Sequence, residues 1–221
     1  MEFVESFFSL MLKQLNSLFF ISYSEKKLIY SNMDLISDRF AFYYAHIRNK
    51  YYSDISLANP LHSNQYTAFL YFVANTIYKR TEKPTEICDK VYNLSKMLSG
   101  ADIYYEVELP SIFMFDHPVG SVIGRATYSD YFAFDHSVTV GDQGDNRGAY
   151  PKIGRFVIMF SGSKIVGSCS IGNNVIISAN TYIKGKDIPD NSIVFGSDRS
   201  IVIKSISEKK AKSYFSQRFL I

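Results

Sequence analysis

Histidines that directly follow a carboxylate are the residues of this 221-residue sequence best suited to chemistry. His117 follows Asp116, and His136 follows Asp135. An imidazole can remove a proton near neutral pH because its unperturbed pKa lies close to neutrality. An Asp-His pair alone is a weak signal, since such pairs are more often structural or solvated. We expect His136 to lie on an outward-facing corner, where it could also line a cleft.

A strict six-residue repeat follows these histidines and indicates the element that positions them. It places apolar side chains at Ile153, Met159, Ile165, Ile171, Ile177 and Ile183. Four residues after each of the first five comes a small or β-branched side chain: Val157, Ser163, Cys169, Val175 and Thr181. A helix repeats its apolar face about every 3.6 residues and a half-buried strand every second residue, so neither explains this period. The repeat predicts a hexapeptide β-helix whose stacked coils share one core.

A polar, glycine-rich stretch interrupts this pattern between Val140 and Ile153. Residues 141–151 therefore predict a loop that leaves one corner of the β-helix. Loops held on a rigid scaffold are common places for binding residues.

The first hundred residues have helical spacing instead. Apolar residues at positions 8, 11, 12, 15, 18 and 19 predict one helix, and residues 65–79 predict a second after Asn59 and Pro60. Thr85 is a suitable N-cap for a third helix, which Gly100 would end. The 17 tyrosines and 18 phenylalanines are expected to pack these helices together. His46 and His62 carry no motif, and we expect structural roles for both.

Composition bounds the class of protein. An apolar content of 47% and a charged content of 20% are typical of globular proteins. The net charge is only +3, and the sequence has no basic tract suited to binding a nucleic-acid backbone. We therefore expect no nucleic-acid partner. Cys88 and Cys169 do not indicate a disulfide framework. The apolar run at residues 7–21 is interrupted by Lys13 and lacks a basic start, so we expect a cytoplasmic protein without a membrane span.

Several short motifs occur in an order that is more specific than any one of them. Asp102-Ile103, Asp116-His117, Ser137-Val138-Thr139, a glycine-rich loop and Pro151-Lys152-Ile153 follow one another. This set resembles the serine acetyltransferase branch of the hexapeptide-repeat acyltransferases, and Asn59-Pro60 is similar to a motif of that family's helical domain. The resemblance implies an all-α N-terminal domain at residues 1–100 and a left-handed parallel β-helix, a hexapeptide-repeat prism with an excursion loop, at residues 101–200. A short C-terminal tail at residues 201–221 follows.

The resemblance also implies roles for individual residues. His117 is the implied general base and Asp102 the carboxylate that orients its ring. Acetyl-coenzyme A is the implied acyl donor, without a metal, in a groove between subunits of a homotrimer. Whether two trimers associate stays open. The implied donor contacts are Gly141, Ser161, Gly162, Ser178, Ala179, Lys184 and Arg199.

The departures from the family concern the acceptor. Ala149 and Tyr150 stand where the family has Arg-His, and Asn59 stands where it has an aspartate. These changes remove charge-assisted hydrogen bonds to both ends of an amino acid. We therefore expect acetyl transfer to a hydroxyl of a sugar, in a surface polysaccharide or its precursor. The expected acceptor contacts are Asp116, Asn59, Tyr150 and Arg147.

Three alternatives stay open. The first is a serine O-acetyltransferase of cysteine biosynthesis. The second is a zinc carbonic anhydrase on the same scaffold, which needs three histidine ligands where the β-helical part offers only His117 and His136. The third is a non-catalytic scaffold or regulatory protein, for which His117→Ala would change no activity.

Overall fold

Helices form the first part of the chain, and short strands form most of the second. The computed structural model describes residues 2–142, 144, 148 and 150–221. The helices that precede the strands are α1 Glu2–Leu18, α2 Tyr23–Tyr30, α3 Met33–Ala45, α4 Ser63–Thr81 and α5 Glu86–Ser99. Two short 3-10 turns, Lys50–Tyr52 and Ile55–Leu57, lie between α3 and α4. The three helices predicted from the sequence correspond to α1, α4 and α5.

Helix α4 is buried from residue 64 to residue 77, although several of these side chains are polar. Two of these polar side chains form hydrogen bonds with the segment that leads into the strands, since buried polar groups generally need a partner. The Tyr71 hydroxyl donates to the carbonyl of Val107 at 2.8 Å, and Asn75 Nδ2 donates to the carbonyl of Tyr105 at 2.8 Å. Helix α4 therefore fixes the start of the strand region.

Aromatic rings fill the interface between the helices and the strands. The ring centroids of Tyr43 and Phe113 lie 4.8 Å apart, and those of Phe72 and Phe113 lie 5.7 Å apart. All three side chains are at most 3% exposed. Part of the large aromatic content thus joins the helical part to the first coil.

The strands form three sheets around an apolar interior that is continuous with the core of the helical region. The strands are β1 Asp102–Ile103, β2 Phe113–Phe115, β3 Val122–Ile123, β4 Thr127–Tyr128, β5 Phe132–Phe134, β6 Thr139–Gly141, β7 Lys152–Ile153, β8 Val157–Met159, β9 Lys164–Val166, β10 Ser170–Ile171, β11 Val175–Ile177, β12 Tyr182–Lys184, β13 Ser192–Phe195 and β14 Val202–Ser205. One sheet has the order β1-β3-β6-β9-β12, the second β10-β7-β4, and the third β14-β13-β11-β8-β5-β2.

The register between strands confirms the hexapeptide prediction. Parallel pairing sets Ile153 beside Ile171, Met159 beside Ile177 and Ile165 beside Ile183. Paired residues are 18 positions apart, so three six-residue faces make one coil. All six side chains of the repeat are at most 3% exposed. The fold is the predicted left-handed parallel β-helix, preceded in the chain by a helical N-terminal region.

Glycine allows successive coils to approach closely at one edge. A Cβ atom built on Gly154 would lie 2.7 Å from the carbonyl oxygen of Gly172. One built on Gly172 would lie 2.6 Å from the backbone nitrogen of Asp190. Any side chain in either place would push backbone apart, which explains why glycine occurs there.

The C-terminal segment returns to the helical region after closing the last coil. Strand β14 pairs antiparallel with β13, and helix α6 Glu208–Phe215 follows it. Beyond α6, the Arg48 nitrogen donates to the carbonyl of Arg218 and the Leu220 nitrogen donates to that of His46. The Arg218 guanidinium lies 2.9 Å from the Asp135 carboxylate. The lysines of this segment are exposed, whereas Phe215 and Phe219 are buried.

Cys88 and Cys169 are free thiols and both are buried. No helix in the described part of the chain combines the length and the apolar character that crossing a bilayer requires.

Candidate active site

His117 lies at an enlarged corner of the first coil. The corner between β2 and β3 contains residues 116–121, whereas the corners stacked on it contain four residues each: 135–138, 160–163 and 178–181. The two extra residues carry the histidine outward, and its side chain is 82% exposed. Pro118, the next residue, is buried and anchors the corner.

The backbone of His117 is held in an uncommon conformation. Its φ is +49°, in the left-handed region that non-glycine residues seldom adopt. The Val119 nitrogen donates to the His117 carbonyl at 2.7 Å, and the Gly120 nitrogen donates to the carbonyl of Gly100 at 2.9 Å. The first bond lies within the corner, and the second ties the corner to Gly100 at the end of α5. Strain of this kind is frequent where a side chain must be presented in one direction.

Asp116 connects the corner to the helical region. Its Oδ1 accepts a hydrogen bond of 3.2 Å from Asn64 Nδ2 and lies 3.6 Å from His117 Nε2. The second distance is too long for a hydrogen bond but short enough for attraction to a protonated ring. The amide of Asn64 also donates to the carbonyl of Phe115.

The first turn of α4 forms the wall opposite the corner. Asn64 and Gln65 are 8% and 1% exposed, respectively. Gln65 Nε2 donates to the carbonyl of Tyr51 at 2.7 Å, and Gln65 Oε1 accepts from the Asn59 nitrogen at 2.8 Å. The buried amide of Gln65 thus fixes the segment between α3 and α4 at two points, Tyr51 and Asn59.

A cleft of 480 Å³ lies between this wall and the corner. Its lining residues are Asn49, Tyr51, Leu61, His62, Ser63, Asn64, Asp116 and His117. A second cleft of 380 Å³ shares Tyr51, Leu61 and His62 with the first and includes Asn59. The predicted acceptor residues Asp116 and Asn59 therefore line adjoining clefts. Asn59 Oδ1 already accepts a hydrogen bond of 2.9 Å from the Leu61 nitrogen.

His62 lines both clefts, although the sequence suggested only a structural role for it. It is the N-cap residue of α4, and its ring does not cap the helix. Partial burial lowers the pKa of His62, while nearby Asp116 acts in the opposite direction. No motif in the sequence could have identified it, because its position depends on how α4 docks against the corner.

Asp102 has partners other than His117 in this structure. Its carboxylate lies 2.6 Å from Lys96 Nζ and accepts a hydrogen bond of 2.6 Å from the Tyr92 hydroxyl. Burial would raise the pKa of Asp102, but these two hydrogen bonds outweigh burial and lower it. Among the described residues, no hydrogen bond or ion pair joins Asp102 to His117.

The small residues expected to contact acetyl-coenzyme A share the corner column of His117. Ser161 and Gly162 belong to one corner of that column, and Ser178 and Ala179 to the next. Ser161 Oγ lies 3.3 Å from Nδ1 of His136, which is exposed on the same column as expected. Gly162 has a φ of +73°, and a Cβ there would lie 2.3 Å from Asn180 Oδ1. A side chain at this position would therefore clash with Asn180, which is consistent with glycine here.

Gly141, Tyr150 and Lys184 lie across the β1-β3-β6-β9-β12 sheet from that column, whereas the turn of Arg199 follows Ser197, which bridges to Tyr182 at the near end of β12. Gly141 and Lys184 both pair with Val166, at the far end of their strands. Tyr150 contacts Arg125. This contact and, to a smaller extent, the contact with Glu106 raise the pKa of the Arg125 guanidinium. Arg199 is exposed in the 3-10 turn Asp198–Ser200. One strand of three residues, about 10 Å, separates the two columns. Arg147 lies outside the described residues.

Comparison with known proteins identifies what the chain resembles. No protein-family model matches the sequence. The chain is 31% identical over 115 residues to a serine acetyltransferase of Synechococcus elongatus, which covers 51% of this chain and 47% of that protein. It is 27% identical over 150 residues to a serine acetyltransferase of Helicobacter pylori, covering 67% of this chain and 77% of the relative. The chain thus matches about half of the cyanobacterial protein's length.

Solved structures give the same result. The serine acetyltransferase of Neisseria gonorrhoeae aligns with a TM-score of 0.66 at 26% identity, over 84% of this chain and 73% of that one. A serine acetyltransferase of Brucella abortus in complex with coenzyme A aligns with a TM-score of 0.64 at 22% identity, over 82% and 72% of the two chains, and supports the fold alone. These findings confirm the resemblance to serine acetyltransferases that the ordered motifs indicated.

Proposed function

We propose that this serine acetyltransferase-like chain is an O-acetyltransferase that uses acetyl-coenzyme A as its acyl donor. The observation that carries the proposal is the presentation of His117, with Asp116 beside it, in a cleft between the first corner of the β-helix and the first turn of α4. Coenzyme A, the ligand named in a neighbouring structure, is the part of this donor that remains after the acetyl group has been transferred.

In the proposed reaction, His117 accepts the proton of the acceptor hydroxyl as its oxygen attacks the thioester carbonyl. A carbon–oxygen bond forms and the carbon–sulfur bond then breaks. The imidazolium returns its proton to the departing sulfur, so that the ring is neutral again. A carboxylate near the ring stabilises the positive charge that it carries in between.

Two carboxylates are candidates for that supporting role. Asp116 lies 3.6 Å from the ring, whereas Asp102 is bound to Lys96 and Tyr92. Asp102 is the proposed orienting residue because the family resemblance implies that role. Its present partners do not conflict with it, because catalytic hydrogen bonds often tighten only when substrate binds. Asp116, held by Asn64, is the proposed acceptor contact.

We further propose that acetyl-coenzyme A lies between two copies of the chain in a homotrimer. Ser161, Gly162, Ser178 and Ala179 flank one side of the β1-β3-β6-β9-β12 sheet, and Gly141 and Lys184 flank the other. An elongated donor could contact both columns if the flat face of a second prism packed nearby. The basic side chains of Lys184 and Arg199 would then face its phosphates. Sedimentation would test whether the chain is trimeric.

Serine is the acceptor that the named relatives favour, because the aligned proteins are serine acetyltransferases. A neutral hydroxyl, such as that of a sugar, is the second candidate. It is supported by Asn59, whose amide stands in place of a carboxylate and whose oxygen is already engaged by the Leu61 nitrogen. A substrate ammonium would have to rely on Asp116 instead. A glycan acceptor has no support among the relatives.

Release of free coenzyme A from acetyl-coenzyme A tests the proposal. We expect release to depend on an added alcohol, with L-serine compared directly with sialic acid and other sugars. His117→Asn should lower the turnover rate by about a hundredfold to ten-thousandfold, the usual contribution of a general base. Because His117 is exposed, the variant should unfold at the wild-type temperature. Full activity of a folded His117→Asn variant would refute the role of His117.

A further inference from the structure

We infer that His62 is an acceptor-positioning residue, which binds a polar atom of the acceptor other than the hydroxyl that is acetylated. This inference rests on the proposed acetyl transfer and assigns a second hydrogen-bonding subsite to the same cleft. It predicts that the acceptor is a small molecule with at least two polar groups, of which only one reacts.

The first supporting observation is an unpartnered nitrogen. His62 Nδ1 is buried, and no hydrogen-bond partner for it occurs among the residues that the structure describes. Buried polar atoms are nearly always hydrogen-bonded, and each exception calls for an explanation. Leaving such a nitrogen unpaired is unfavourable. The ring that carries it lines both clefts, which is where a polar group of the acceptor would meet the imidazole.

The second observation is that the ring is held rather than loose. Its centroid lies 5.1 Å from the ring of Tyr51 and 6.0 Å from that of Tyr52. The carbonyl of Tyr51 accepts hydrogen bonds of 2.7 Å from the Tyr44 hydroxyl and from Gln65. A side chain fixed in this way is already ordered before the acceptor binds, which lowers the entropic cost of binding.

The third observation concerns the position of the ring within the cleft. His62 and His117 line the same space together with Asp116, the first residue of the corner. The ionisable groups that line this cleft and its neighbour are Lys50, Tyr51, His62, Asp116 and His117. Partial burial and the nearby His117 lower the pKa of His62, so the ring is neutral at neutral pH. A neutral imidazole offers one donor and one acceptor, which suits a hydroxyl or a carboxylate oxygen.

Steady-state kinetics of two variants test the inference. His62→Phe keeps a planar ring between the tyrosines but removes both nitrogens, whereas His62→Gln keeps a hydrogen-bonding group. We expect His62→Phe to raise the KM for the acceptor about tenfold, the effect of losing one hydrogen bond to a substrate. The KM for acetyl-coenzyme A should stay within about twofold, and His62→Gln should recover part of the loss.

The matched control is His46→Phe. His46 also packs against an aromatic ring, that of Phe42 at 4.3 Å, but its Nδ1 is already paired with the carbonyl of Phe42 at 2.8 Å. It does not line either cleft. Its variant should retain the wild-type KM for both substrates. An unchanged acceptor KM in His62→Phe, or a rise that merely accompanies a lower melting temperature in both His62 variants, would overturn the inference.

A second measurement does not depend on turnover. Nitrogen-15 NMR of the His62 ring, assigned with the His62→Phe variant, should show a shift when L-serine or sialic acid is added. No shift with either probe would count against the subsite. If the wild-type protein released no coenzyme A with any alcohol, the proposed function would fail while a ring shift would still support the subsite.

Discussion

The carboxylate of Asp102 lies 2.6 Å from the ammonium nitrogen of Lys96, so the first strand is linked to the last turns of α5. Tyr92, one turn earlier on α5, donates to the same carboxylate. The residue that the family resemblance assigns to orienting His117, the proposed general base, is therefore held by the helical region in this structure. Its two possible roles, linking and orienting, make different predictions.

Replacing each partner separately distinguishes these roles. If Asp102 orients His117 during turnover, Asp102→Asn should lower kcat by about tenfold or more. Lys96→Met should leave kcat within about twofold. It should lower the free energy of unfolding by less than about 1 kcal/mol, as is usual for a half-exposed ion pair. Turnover assays and urea unfolding measure both quantities. Equal losses of kcat in the two variants would indicate a linking role alone.

The interior of the β-helix should be far less tolerant than its surface. Ile165 is fully buried, so Ile165→Ala should lower the free energy of unfolding by about 2–5 kcal/mol. Val122, on a strand of the same sheet, is 43% exposed, and Val122→Ala should cost no more than about 0.5 kcal/mol. Urea denaturation of both variants provides the measurement. Similar losses at the two positions would contradict the inward orientation of the repeat.

Neither thiol should react readily in the folded protein. Burial raises the pKa of Cys169 to about 11 and also raises the pKa of Cys88, so both thiols are protonated at neutral pH. Since the thiolate is the reactive form, iodoacetamide should label both slowly at about pH 8. Labelling should become rapid once guanidinium unfolds the chain. Mass spectrometry after timed labelling would reveal any native thiol that reacts at the rate of a free cysteine, contrary to this expectation.

Acid should weaken the contact between α2 and α5. Burial would raise the pKa of Glu25, but hydrogen bonds from Lys90 and Ser22 outweigh burial and lower it. Glu25 lies 2.8 Å from Lys90, and both side chains are largely buried. A lowered folded-state pKa stabilises the protein above the unfolded pKa of about 4.3, and this contribution is lost as the pH falls through the folded value.

Melting temperatures measured from about pH 6 down to about pH 3 test this point. The wild-type protein should lose stability more steeply than Glu25→Gln in that interval. Glu5→Gln, on the exposed side of α1, is the matched control and should follow the wild-type curve. Parallel curves for wild type and Glu25→Gln would contradict the prediction.

The β-helix could be predicted from sequence because its packing repeats at short range. Ile153 and Ile171 are neighbours in space after only 18 residues, and the same relation recurs along the segment. Helix α5 could be predicted equally well, since Thr85 caps its start and Gly100 adopts the left-handed conformation at its end. Both signals are local.

The arrangement of the cleft could not be predicted in the same way. Asn64 meets Asp116 across 52 positions, and no periodic pattern marks that contact. His62 enters the cleft only because Gln65 and Asn64 fix the turn that carries it. Lys96 was also missed as a partner of Asp102, because a lysine near the end of a helix usually extends into solvent.

The antiparallel pairing of β14 with β13 has a consequence beyond closing the last coil. A prism made of parallel rungs ends in unpaired backbone amides and carbonyls at its last coil, which could pair with the same edge of another molecule. Strand β14 occupies those groups on one sheet. Deleting residues 202–205 should therefore expose the edge of β13 and lead molecules to associate through it, which sedimentation would measure as a larger particle.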